Sequence, residues 1–199
     1  MLAYVFWHWR RGDVPAARYE TLQRAFHAAL RDAPSPGFLG SRSLALTGAP
    51  WAGGGGEAYE DWYLVENSAA LDPLNAAAVS ASRQAAHDAA AAVAAGGTAG
   101  LYGLRSGRAV EAPGIATWFA KPDGTSYATL FAAFEPLVRR SGGGLWCRHM
   151  VLGPTPEFCL HAPEPVALPD PFVGRTFPYR TVWPETRARP DPAPDRRPD

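Results

Sequence analysis

Apolar and aromatic side chains occupy nearly every position of residues 2–9, and Arg10-Arg11-Gly12-Asp13 then interrupts them. That pattern predicts a strand covered on both faces. Strand alternation puts Trp7 and Trp9 on one face and Phe6, His8 and Arg10 on the other. Asp13 and Pro15 suit a helix start, and Tyr19, Leu22, Phe26 and Leu30 follow at helical spacing. Pro34-Ser35-Pro36-Gly37 stops that helix, residues 38–47 read as a second strand, and residues 48–57 as a flexible connection. Residues 59–66 form the third strand. Asp72-Pro73 opens an Ala-rich helical region that Ser80-Ala81-Ser82 splits and Gly96-Gly97 ends. Residues 101–104 are a short fourth strand, and 107–114 a loop.

The pattern then restarts. Residues 115–121 predict a strand, Pro122-Asp123-Gly124 a turn, and Thr125 or Ser126 a helix cap. Tyr127, Leu130, Phe134 and Val138 lie 108 positions after Tyr19, Leu22, Phe26 and Leu30, residue for residue. The same offset sets Leu39 on Cys147 and Ser41 on His149, which marks an internal repeat. Pro136 predicts a kinked or shortened second helix. Residues 145–152 and 157–161 read as a hairpin through Gly153-Pro154-Thr155-Pro156.

The order is βαββαβ, then βαββ and a tail, with residues 1–111 one unit and 112–162 a second, incomplete one. Residues 163–184 predict an ordered Pro-rich segment packed on the surface; 185–199, rich in Arg, Pro, Asp and Ala, predict disorder. This order and repeat resemble the dimeric α/β-barrel superfamily. The resemblance implies an α+β fold of two tandem ferredoxin-like units in a barrel-like sheet system, with the second unit short of its last helix and strand.

Composition narrows the function classes. In 199 residues, hydrophobic side chains make up 47% and aromatics 12%, which favours a packed globular chain. Nineteen basic residues balance nineteen acidic ones, so no charge footprint for nucleic acid or an anionic membrane is present. Two cysteines and no signal-like segment predict a cytoplasmic protein, monomeric or homo-oligomeric. Gly53-Gly54-Gly55-Gly56 lacks the Lys-Ser/Thr and helix start of a phosphate cradle and reads as a loop.

Three constellations carry chemistry. In the resembled superfamily, oxygenase and haem-degrading members place a His near the end of a helix, facing a pocket against the sheet. Trp62-Tyr63 followed by His87 is similar, and implies His87 as a haem ligand or general base. A straight helix would aim His87 at solvent; a break at 80–82 would turn it inward. Cys147-x-His149 and Cys159-x-His161 would supply four zinc ligands if the hairpin put both pairs on one face; otherwise the thiols are core. Finally Trp7, Trp9, Trp62 and Trp118 predict an aromatic cavity for a planar ligand, with His8 and Lys121 among them as catalytic candidates. Asp61 is a further polar insertion, expected to pair with Lys121. The reading is a protein for a small hydrophobic or planar molecule, oxygenase-like if an enzyme. The alternatives are a non-catalytic carrier or structural module, and a metal-binding protein.

Overall fold

Alternation on two neighbouring strands decides most of this architecture. A computed structural model describes residues 1–150, 153 and 155–187. In chain order the elements are β1 (Leu2–Arg10), α1 (Ala16–Asp32), β2 (Phe38–Thr47), β3 (Glu57–Val65), α2 (Leu71–Ala78), α3 (Ala81–Ala91) and β4 (Ala94–Gly107). There follow β5 (Ile115–Phe119), α4 (Tyr127–Ser141), β6 (Gly144–His149), β7 (Phe158–Ala162), β8 (Gly174–Pro178) and β9 (Arg180–Arg187). The fold is α+β: one nine-stranded antiparallel sheet, ordered β8-β5-β7-β6-β4-β1-β3-β2-β9, with four α-helices among the described residues.

The sheet curls until β2, near one end of this order, meets β7 near the other: Arg42 Nη2 lies 3.0 Å from His161 Nδ1. Inside the curl, Val5, Trp7, Trp62, Leu64, Tyr102, Trp118 and Trp146 pack into one apolar core. Each indole buries roughly 150–250 Å², which at about 25 cal/mol/Å² contributes about 4–6 kcal/mol before entropy is subtracted. The outer face carries the helices. α4 covers Phe119, Leu145, Phe158 and Leu160, while α1, α2 and α3 cover Phe38, Tyr63 and Val65.

Several expectations change. Gly96 and Gly97 do not cap a helix; they lie in a β4 of fourteen residues, paired with Trp9 and His8. A Cβ on Gly96 would come 2.7 Å from Trp9 Cζ2, and one on Gly97 would enter the Phe6 ring, so these glycines let two aromatics rest on the strand. The Ala-rich region does break, at Val79–Ser80, with Ala81 in the left-handed region at φ 49°. Pro136 lies inside an unshortened α4 of fifteen residues.

The segment expected to pack on the surface extends both edges of the sheet instead: β8 pairs with β5 and β9 with β2. The expected disorder over 185–199 is corrected through Arg187, whose backbone pairs with Gly40; residues 188–199 lie outside the described residues, as do 151 and 152 of the expected strand and 154 of its turn. Both β1-α1-β2 and β5-α4-β6 run strand, helix, strand, and Phe26 of α1 and Phe134 of α4 are both buried. Tyr19 and Tyr127 differ: the first is buried and the second 49% exposed.

Candidate functional site

β3 is central and covered on both faces, yet it carries two consecutive carboxylates, Glu60 and Asp61, both essentially unexposed. Alternation sends them to opposite faces of the sheet. Glu60 enters the aromatic core, where Oε2 accepts from Trp7 Nε1 (2.6 Å) and Oε1 from Trp62 Nε1 (2.6 Å) and the Tyr179 hydroxyl (2.5 Å). Burial pushes the Glu60 carboxyl up, against these donors, which favour its charge. His161, beside Arg42, is pushed down by burial and by the guanidinium.

Asp61 faces the helices and gathers a second cluster. Its Oδ2 accepts from the Tyr63 hydroxyl (3.0 Å) and lies 3.1 Å from His8 Nε2 and 3.2 Å from His27 Nε2. Neither ring N–H is aligned as a hydrogen bond, and Asp61 Oδ1 is buried without a partner. A ring nitrogen facing a carboxylate carries its proton, so in the neutral rings each Nδ1 is left to accept. His8 Nδ1 takes the Tyr19 hydroxyl at 2.5 Å, and His27 Nδ1 takes that of Ser41 at 2.7 Å. Phe6 and Tyr59 stack on His8; Tyr63 and Trp183 stack on His27. Burial alone would raise the Asp61 carboxyl, but the two imidazoles beside it hold it well below the usual carboxylate range. Burial, then the Asp61 charge, pushes the Tyr19 phenol up, so it stays protonated.

One end of this cluster opens into a cavity of about 770 Å³ between the sheet and α1, α2 and α3. Tyr19, His8 and Asp61 stand in its wall. Phe6, Phe26, Leu30, Leu71 and Leu74 make it apolar, and Gly96 and Gly97 also line it. His27 and Ser41 do not line it.

The structure thus sorts the candidates. His8 and His87 both line the cavity; the break before α3 turns His87 inward, half-buried, with its Nδ1 3.0 Å from Asp88 Oδ1 and its ring edge-on to Phe26. Lys121 does not: its Nζ donates to Thr125 O and lies over the Tyr127 ring, and Asp61 pairs with histidines instead. Trp7, Trp62 and Trp118 are core on the opposite face, Trp9 packs on Gly53 and Gly96, and none lines this cavity. The register also separates the proposed zinc ligands. Trp146 pairs with Cys159 and Cys147 with Phe158, so Cys147 and His149 lie on one face and Cys159 and His161 on the other. Among the described residues no three His, Cys, Asp or Glu side chains are grouped to hold a metal ion. Burial raises both thiols, Cys147 to about 11. Haem does not suit the lining either. Among the described residues it offers Asp61 and Asp72 and no arginine or lysine, the wrong charge for two propionates.

His27 went unrecognised in the sequence, although Tyr19, Gln23 and His27 recur every fourth residue, a polar row on the buried face of α1.

No family model matches this chain, and no curated protein matches it. Among solved structures it is similar to one described as a crystal structure study of an anthrone oxidase-like protein. Identity is 9%, coverage 91% of this chain and 93% of that one, and the TM-score 0.49, a likeness too slight to carry chemistry across. No helix among the described residues is long and apolar enough to cross a membrane.

Proposed function

We propose that the chain is built from two fused ferredoxin-like units closing a barrel-like sheet. The cavity over the first unit takes a flat, neutral, mainly apolar molecule and removes a proton from it. Strand order supports the fold: β4-β1-β3-β2 and β8-β5-β7-β6 each run fourth, first, third, second within their own half.

One observation carries the chemistry, the buried Tyr19–His8–Asp61 line that ends in an apolar cavity. Polar groups at that depth are costly and are found where a site needs them. A ligand hydroxyl, a phenol or enol, is placed against the Tyr19 oxygen. The ligand O–H bond breaks and its proton goes to Tyr19, whose own proton passes to His8 Nδ1. Tyr19 therefore never has to ionise, in keeping with its raised phenol. The products are a ligand anion and an imidazolium beside the Asp61 carboxylate, which stabilises it.

Calorimetric titration with 2-naphthol and 4-nitrophenol tests the reading, with spectra showing whether bound nitrophenol is its yellow phenolate. Saturable binding is expected, lost in Ala94→Phe, which fills the cavity. Bound nitrophenol should ionise at a lower pH than free nitrophenol, and His8→Gln should bind it without that effect. Binding without ionisation in the unaltered protein would leave a carrier; no binding would overturn the proposal.

A further inference from the structure

The two imidazoles around Asp61 are chemically matched and differ in access. Each turns Nε2 to the same oxygen, each has a hydroxyl at Nδ1, and each stacks with two aromatic rings. The Tyr19–His8 arm lines the cavity (the open arm) and the His27–Ser41 arm does not (the closed arm), although all four side chains are 2% exposed or less.

Resting on the proton-abstraction reading above, we infer that His27 is a positioning residue, which competes with His8 for Asp61 and so sets how strong a base the open arm is. One carboxylate oxygen cannot neutralise two imidazolium ions at once, and two coupled sites sharing a partner take up protons as a pair. A proton held on the closed arm opposes a second on His8; a donor there also draws on the electron density that would stabilise the His8 imidazolium. Taking the closed arm away leaves His8 as the one imidazole at Asp61 Oδ2, beside the Tyr63 hydroxyl. The groups facing the pair are few: Tyr19 from α1; Ser41 from β2; Tyr59 and Tyr63 from β3; Trp183 from β9. Behind Tyr59 lies Glu20, bound to Arg24 and Arg180, and beyond Phe26 the His87–Asp88 pair of α3. Of these, Tyr63 touches both partners, stacking on His27 and donating to Asp61 Oδ2.

The pH at which bound 4-nitrophenol becomes its phenolate reads the base strength directly. His27→Phe, which keeps a flat ring, is expected to lower that midpoint by about one pH unit or more, a tenfold change. Ser41→Ala should move it the same way by less, and His27→Gln, which keeps one donor, should fall between His27→Phe and the unaltered protein. A merely structural role for His27 would change unfolding temperature and leave the midpoint alone. If His27→Phe fails to fold, Ser41→Ala and His27→Gln decide the matter. Unmoved midpoints in both, with His8→Gln still abolishing ionisation, would overturn the inference and leave proton abstraction standing. An unaltered protein that neither binds nor ionises nitrophenol would overturn both.

Discussion

Replacing Asp61 with asparagine keeps the side-chain shape and removes the charge on which the cluster is centred. In the native protein three groups converge on Oδ2, all within 3.2 Å, at a residue 1% exposed. An amide has one acceptor oxygen for them, and its NH2 adds donors where donors already crowd. Removing the charged centre of a buried network costs about 3–5 kcal/mol, because its partners are left buried and uncompensated. In a chain of this size 1 kcal/mol corresponds to about 2–4 °C, so Asp61→Asn should lower the unfolding temperature at pH 7 by roughly 6–20 °C. The pH dependence supplies a second check. A carboxyl held low in the folded state stabilises fully above its unfolded value of about 3.9, and that contribution is lost as pH falls toward the folded value. The gap between native protein and variant should therefore narrow in acid. Thermal unfolding followed by circular dichroism across pH 7 to about pH 3 measures both. A variant within about 2 °C of the native protein at pH 7, or a gap that widens in acid, would refute the reasoning.

Three further outcomes are expected. His161 is pushed down by burial and Arg42, so its contribution is present above about pH 6.5 and lost as pH falls; His161→Asn should flatten the decline in urea-unfolding stability between about pH 7 and pH 5. Gly97→Val puts methyl groups into the Phe6 ring and should cost about 1–3 kcal/mol in the same assay, since overpacking forces neighbours off their rotamers. A chain ending at Tyr179 loses β9, and losing the buried Val182 side chain alone should cost about 1.5–3 kcal/mol; an unchanged urea midpoint would show that β9 does not stabilise the fold.

What the sequence determined by itself is local and periodic. Hydrophobic spacing, caps and turn residues place β1, α1, β2, β3 and α4 within a few residues, because those signals act over one or two turns of chain. It also marked His8 and Asp61 as polar insertions in apolar strands and named the break that turns His87 inward. Pairing partners needed the tertiary structure. Period-two alternation says that Cys147 and His149 share a face, but only the register of β6 against β7 says that Cys159 and His161 take the other. The tryptophans looked like a ligand site because indoles are rare and carry a donor. Nothing local revealed that Glu60, their neighbour on β3, would accept from two of them inside the core. β8 and β9 were read as tail because edge strands rich in Pro and Arg lack the apolar pattern of central ones. The meeting of His8 and His27 on one oxygen of Asp61 joins β1, α1 and β3. Such convergence is set by how helices lie on a curled sheet, a property of the packed whole that no window of sequence contains.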